Sequence, residues 1–289
     1  MKILILGSNG QLGRTLTSSQ WDTDAVILSP TREKLDVTNF ESVKNFLSQT
    51  KPDAVINATA WTNVAGAESD SNGAYKMNSE AVGNLASQCG LMGALLVHLS
   101  TDYVFSGQKQ VPYTESDATS PLNVYGKSKL AGEKAIQDSG LKDFYIVRTS
   151  WLYSRYGKNF VKTIANKALS GEESSITNDQ FGVPTYAGDL AVGIQSLISS
   201  RPESGIYHFS NTGKTNWFEF GSAIYEFLGR DLNMVTARAT ESGELQRPSY
   251  SVFDLSKWER SNLSPLIDWK VRLEKELPQI VEALKSEAK

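Results

Sequence analysis

The 289-residue chain is poor in the residues that build covalent or metal-bound frameworks: it has one cysteine, Cys89, and two histidines, His98 and His208. One cysteine excludes an internal disulfide and makes a reducing compartment the default. Two histidines without clustered cysteines argue against a zinc site, so no metal is expected. The net charge is only -3 and no long basic run occurs, which argues against binding the phosphate backbone of nucleic acid. Long apolar runs are missing as well. Ile3-Leu4-Ile5-Leu6 stops at Gly7, too short for a signal peptide or a membrane span, so a cytoplasmic, membrane-free protein is expected. Neither low-complexity segments nor internal repeats are visible. Length and a 40% hydrophobic content suit one large α/β domain or two closely packed ones.

What is present is an alternation of short buried strands and amphipathic helices. Ile3–Leu6 reads as a strand buried on both faces. Gly7-Ser8-Asn9-Gly10-Gln11-Leu12-Gly13 follows at once, and Leu12 and Leu16 open a helical pattern. Glycines 7, 10 and 13 permit a tight turn and let a pyrophosphate approach the helix N-terminus, whose free N–H groups favour an anion. Ala25–Leu28 is the second strand. A ribose-reading acid is expected at its end, but Ser29-Pro30-Thr31-Arg32 stands there. Without that carboxylate a 2′-phosphate is not repelled, and Arg32 can pair with it, which favours NADPH over NADH; the alternative is a solvated loop arginine. Asp36 either meets an adenine edge or solvates a turn. Thr38 and Glu41 have the spacing of a capping box. Asp53–Asn57 is the third strand, and the small residues of Ala58-Thr59-Ala60-Trp61-Thr62 at its carboxyl end leave room for a cofactor. One long helix through Met77, Ala81, Leu85 and Cys89 is expected next, then strands at Ala94–Leu99 and Asp143–Arg148. Both histidines lie inside strand-like runs and read as packed residues.

Thr101 should emerge at the same sheet edge. Tyr125 and Lys129 lie four apart in Asn123-Val124-Tyr125-Gly126-Lys127-Ser128-Lys129, at the start of a helical run. On a helix they share one face. A cation beside a phenol lowers its pKa and makes it a proton donor near neutral pH, as carbonyl reduction requires. After Thr149-Ser150-Trp151 the alternation loosens. Gly157-Lys158-Asn159-Phe160, Asp179–Thr185 and Gln246-Arg247-Pro248 read as a smaller region binding whatever is reduced. There Trp151 can stack and Arg247 can pair with a substrate, or Trp151 is plain core. The run Val271–Leu284 reads as a surface helix interrupted by Pro278. The fold class is therefore a Rossmann-type doubly wound parallel sheet with a smaller, discontinuous substrate-binding region. Residues 1–150 form the dinucleotide-binding part, about 187–210 return to it, and 151–186 and 211–289 mainly bind substrate.

The glycine run, Ser100-Thr101-Asp102-Tyr103-Val104-Phe105, Ser120–Lys129, Arg148-Thr149-Ser150-Trp151-Leu152-Tyr153 and Val183-Pro184-Thr185 together resemble the extended short-chain dehydrogenase/reductase family, in its branch of nucleotide-sugar 4-ketoreductases. The resemblance implies NADPH, with NADH possible, and a dTDP-4-keto-6-deoxy sugar as substrate. Tyr125 would donate the proton, Lys129 would lower its pKa and hold the nicotinamide ribose, and Thr101 would bond the ketone oxygen. Gly7, Gly10, Gln11, Leu12, Gly13, Arg32, Asp36, Val37, Ala60, Trp61 and Thr62 would hold the cofactor. Thr101, Asp102, Trp151, Asn159 and Arg247 would hold the sugar nucleotide. The run Val64-Ala65-Gly66-Ala67-Glu68 lacks the acid that usually follows the valine, so a role for that acid is not expected. Some members dimerise through glutamate-bound magnesium; Thr15 and Gly188 stand at the matching positions, so a monomer or weak homodimer is expected. The competing readings are a reductase giving 6-deoxy-L-talose, a 4,6-dehydratase or epimerase, and a non-catalytic nucleotide-binding subunit. Tyr103, where dehydratases carry a glutamate, argues against the dehydratase.

Overall fold

Six parallel strands form the central sheet of the computed structural model, which describes residues 1–287; the last two residues of the 211–289 region lie outside them. The strands are β1 (Lys2–Leu6), β2 (Val26–Leu28), β3 (Ala54–Asn57), β4 (Leu95–Thr101), β5 (Phe144–Thr149) and β6 (Gly205–His208). Their order is β6-β5-β4-β3-β1-β2. The chain leaves β1 to form β2 on one side and returns to form β3 on the other. That reversal opens a crevice beyond the carboxyl ends of β1 and β3, where ligands of such sheets bind. Apolar residues alternate in pointing to the two faces. Ile3, Ile5, Ile56 and Val97 join one core, and Leu4, Leu6, Val55 and Leu96 join the other. A third core gathers residues from Val104 to Val281, including Phe220, Tyr225, Trp269 and Leu273.

The long connections are helices: α1 (Gln11–Ser18), α2 (Phe40–Thr50), α3 (Ala81–Met92), α4 (Val124–Asp138), α5 (Phe160–Ser170), α6 (Ala187–Ser200), α7 (Trp217–Phe227) and α8 (Trp269–Glu287). Three local expectations need correction. The Thr38/Glu41 capping box does not form. Asp36 takes the Thr38 N–H and hydroxyl, and Asn39 caps α2 by accepting from the Ser42 N–H at 3.0 Å. The long helix before β4 is broken into Val64–Ser69, Ser71–Tyr75, a π-helical turn Lys76–Glu80 and α3. Asp70 starts the second piece by accepting from the Gly73 N–H, and the extra residue of the π turn points the Asn78 amide inward. Pro278 does not interrupt α8. Leu273, Leu277, Ile280 and Val281 bury a continuous stripe that outweighs the one lost hydrogen bond.

β4 runs two residues beyond the expected strand because Ser100 and Thr101 keep pairing with Arg148 and Thr149. Beneath that extension Glu133 of α4 accepts from Arg148 at 2.9 and 2.6 Å and from the Ser100 hydroxyl at 2.5 Å. Both charges are almost wholly buried, so the pair locks α4 to the sheet at the level of the site. Glu133→Ala should leave the guanidinium buried and unpaired. It should cost about 3–5 kcal/mol, read as a lower urea midpoint, whereas Glu133→Leu with Arg148→Met should recover most of the loss.

Candidate active site

The glycine turn is built by close approach. Gly7 has φ +79°, and a Cβ there would lie 2.7 Å from the Ala58 carbonyl oxygen; one on Gly13 would lie 2.0 Å from the Gly7 oxygen. The turn therefore stays bare, and α1 begins at Gly10 with no side chain capping its first N–H groups. Two connected spaces flank it. A cavity of about 220 Å³ is lined by Gly7, Ser8, Asn9, Gly10, Pro30, Arg32, Leu35, Asp36, Val37, Ala58, Thr59, Ala60 and Met77. A larger cleft of about 570 Å³ continues from Gly10, Gln11 and Leu12 past Ala60 and Thr62 to Thr101, Asp102, Tyr103, Tyr125, Lys129, Trp151, Gly157, Lys158, Trp217 and Arg247.

Three expected contact residues, Gly13, Trp61 and Asn159, line neither space. Gly13 packs beneath the turn. The Trp61 N–H donates to Asn78 and its indole N–H to the Asn63 carbonyl. Asn159 caps α5 and donates to Gln11 at 2.9 Å and to the Ser154 carbonyl at 2.8 Å, so its amide ties the α5 segment to α1. Conversely, Tyr103 and Trp217 line the cleft although the sequence reading singled out neither as a contact, and Lys158 does so within a segment that was read as binding the substrate. Trp217 lies flat on Trp151, with ring centroids 3.7 Å apart and planes at 15°. Trp151 itself has φ +45°, and Gly182 makes room beneath its indole. Asn216, accepting from the Glu219 N–H, marks where α7 begins and so where Trp217 sits, and that signal was readable in the sequence.

Tyr125 and Lys129 do open onto one cleft, on a helix capped by Asn123, whose Nδ2 also donates to the Gln246 carbonyl beside Arg247. Glu68 accepts from the Val124 N–H at the same helix start, so this acid is structural here. The expected electrostatic coupling is not found. Burial pushes the Tyr125 phenol above its usual value; the Thr101 hydroxyl opposes this, and Asp102 and Tyr103 reinforce it. Burial pulls Lys129 down to about 8 against the pull of Glu133. Its amine is turned to the Leu99 carbonyl and, at 3.2 Å, to His98 Nε2. A cation stripped of water is costly, which lowers the lysine but leaves its amine mostly charged at neutral pH. Tyr103 packs edge-on to Tyr125 at 5.5 Å, and burial raises its phenol to about 12. Arg32 is mostly exposed and pairs with Asp36 at 3.3 Å. The Thr38 backbone N–H, with its hydroxyl and Arg32, holds the Asp36 carboxyl below the usual range against desolvation. Burial sends the Cys89 thiol to about 12, which leaves it inert at neutral pH. Among the described residues no three His, Cys, Asp or Glu side chains are grouped to hold a metal, and no helix is long and apolar enough to cross a membrane.

The bare glycine cradle, the uncapped helix start and the basic Arg32 fit a phosphorylated dinucleotide. A hydroxyl-bearing Thr101 and a phenol in the continuing cleft fit a carbonyl compound beside it. Sheet order, cradle and Tyr-x-x-x-Lys helix together define a dinucleotide-dependent reductase of the short-chain type. The family described as the RmlD substrate binding domain matches residues 1–282, and the chain belongs to it. It is 38% identical to the dTDP-4-dehydrorhamnose reductase of Streptomyces griseus over 96% of this chain and 93% of that protein. It is 35% identical to the dTDP-4-keto-6-deoxy-D-glucose reductase of Streptomyces niveus, over 95% and 96%. The crystal structure of a Bacillus anthracis dTDP-4-dehydrorhamnose reductase in complex with NADP superposes with a TM-score of 0.92, at 37% identity, over 96% of this chain and 99% of that one.

Asp102 gives a pH test. Its carboxyl is buried, Oδ2 has no hydrogen-bond partner, and burial raises its pKa from 3.8 to about 6. The folded state then binds more protons than the unfolded state between those two values. The stability contributed by the protonated acid is present below pH 3.8 and is lost as pH rises through about 6. Asp102→Asn should therefore gain stability over the parent across that window, reaching on the order of 3 kcal/mol above it. Urea unfolding of both proteins at a series of pH values measures the difference.

Proposed function

We propose that the chain reduces the C4 ketone of dTDP-4-dehydro-L-rhamnose to dTDP-L-rhamnose with NADPH, a step of nucleotide-sugar biosynthesis carried out in the cytoplasm. The observation that carries this reading is that Thr101, Tyr125 and Lys129 open onto the cleft that begins at the Gly10–Leu12 cradle. NADPH, when bound, supplies the hydride. The uncapped start of α1 binds its pyrophosphate, and Arg32, freed from Asp36, pairs with the 2′-phosphate. Asp36, Val37, Ala60 and Thr62 border the adenosine and nicotinamide sides, and Lys129 holds the ribose. Thr101 donates to the ketone oxygen and fixes it beside Tyr125. As the oxygen gains negative charge, the Tyr125 O–H bond breaks and the product O–H bond forms.

On the far wall Asp102, the Trp151/Trp217 stack and Arg247 hold the sugar nucleotide, with Asn159 acting through Gln11 rather than by contact. Residues 1–150 with about 187–210 then serve the cofactor, and 151–186 with 211–289 serve the substrate. Tyr103 leaves this site without the acid–base pair that water elimination needs. The protein works as a monomer or weak homodimer, without a metal bridge. The Streptomyces niveus relative, named for dTDP-4-keto-6-deoxy-D-glucose, favours a second reading in which the ketone reduced is that of this other sugar.

Incubation with dTDP-4-keto-6-deoxy-L-mannose and NADPH, followed by NMR of the product, separates the readings. Rhamnose stereochemistry is expected; no NADPH oxidation with any dTDP-4-keto sugar would leave only a nucleotide-binding role. Tyr125→Phe should lower kcat at least ~100-fold while cofactor affinity stays nearly unchanged.

A further inference from the structure

Residues 154–159, which lead into α5, lie along α1, the helix whose start forms the glycine cradle. The Arg14 guanidinium sits over the Tyr156 ring, 4.2 Å from its centroid, and a Cβ on Gly157 would crowd the Gln11 side chain at 3.2 Å. One contact in this seam has a fixed direction. Asn159 Oδ1 accepts from the Lys162 backbone N–H at 3.0 Å, and Nδ2 lies 2.8 Å from the Ser154 carbonyl oxygen. A backbone N–H only donates and a carbonyl only accepts, so the two ends of this amide cannot be exchanged. Nδ2 also lies 2.9 Å from the Gln11 amide. The Gln11 atom that faces it must accept and is therefore Oε1; the Ser154 hydroxyl lies 3.2 Å from the same oxygen. The orientation of the Gln11 amide is thereby set as well. Its Nε2 has no hydrogen-bond partner among the described residues, on a side chain that lines the cleft at the first position of α1.

We propose that Asn159 locks the Gln11 amide with its NH2 group free to donate to the diphosphate of the dinucleotide, which makes Asn159 a positioning residue for the cofactor. This deepens the proposed function and rests on its dinucleotide. An amide free to turn would present its oxygen to the phosphates for part of the time, and that oxygen repels them; a locked amide offers them donors only. An N–H given to a charged oxygen is among the stronger hydrogen bonds. The place suits an anion in two other ways. α1 begins with no side chain capping its first N–H groups, and Lys158, next to Gly157, lines the same cleft. Asn159 is itself the cap of α5, so a helix of the substrate-binding part sets the direction of a donor at the cofactor cradle.

Calorimetric binding without turnover tests this with two probes: 2′-phospho-ADP-ribose, which carries the diphosphate but no nicotinamide, and 2′-AMP, which carries neither. Asn159→Ser keeps an oxygen for the Lys162 N–H, because serine caps helices as well as asparagine does, but it is too short to donate to Gln11. A thermal midpoint near that of the wild type shows that the variant is folded. Asn159→Ser should weaken 2′-phospho-ADP-ribose at least ~5-fold and 2′-AMP by less than about twofold. Gln11→Ala should weaken the first probe at least as much, and adding Asn159→Ser to it should change little further, by less than about twofold. Unchanged affinity in Asn159→Ser overturns the proposal. So does an equal loss for both probes, or the same loss repeated in the Gln11→Ala background. If Asn159→Ser does not fold, Gln11→Ala alone decides, and wild-type affinity for 2′-phospho-ADP-ribose in that protein overturns the proposal. Wild-type protein that binds neither probe would sink the dinucleotide reading and this proposal with it, whereas wild-type binding unmoved by the variants sinks this proposal alone.

Discussion

Burial of the polar side chains between α4 and the carboxyl end of β4 is the constraint on which the site depends. Tyr125 and Lys129 stand on one turn of α4, and that turn is pressed against β4 by the Glu133–Arg148 pair and the Ser100 hydroxyl. Gly132 admits the Asn78 carbonyl at a distance no side chain would tolerate, and Asn78 in turn holds Trp61 and Ser128. The loop after β3 and the helix that carries Tyr125 and Lys129 are therefore parts of one packed unit. Moving either would break buried polar contacts, each of which costs far more to leave unpaired than it contributes when made.

The same burial reshapes the acid–base chemistry. In water, a lysine one turn from a tyrosine would act as a nearby positive charge. Here the lysine is desolvated, bonded to a carbonyl and 3.2 Å from a histidine ring nitrogen, while the phenol is raised by burial and eased mainly by Thr101. The hydroxyl of Thr101 thus takes a larger part in preparing the phenol than the helical spacing of Tyr125 and Lys129 suggests.

Much of this was legible beforehand because it depends on local pattern. Short apolar runs gave the strands to within a residue or two, the glycine run gave the cradle, and the four-residue spacing placed Tyr125 and Lys129 on one face. What escaped depended on tertiary partners. Thr38 and Glu41 had the spacing of a cap, but Asp36 competed for Thr38 and Asn39 took the role. The π turn at Lys76–Glu80 exists because Asn78 finds partners on α4, which no local propensity reports. Pro278 reads as a break, yet packing carries α8 through it. Trp217 pairs with Trp151 from 66 positions further along the chain, and only the fold brings the two rings face to face. Asn159 was read as a sugar contact, whereas its amide is spent on Gln11 and Ser154.

The central claim is that one cleft brings a reduced nicotinamide, a sugar ketone and the Tyr125 phenol together. The most direct measurement uses NADPH deuterated at the transferable nicotinamide C4 position, with dTDP-4-keto-6-deoxy-L-mannose in ordinary water. The account predicts deuterium bonded to C4 of the product sugar, transferred at least ~100-fold more slowly when Tyr125 is Phe. Product free of deuterium, deuterium at another carbon, or undiminished transfer in the Tyr125→Phe protein would contradict it.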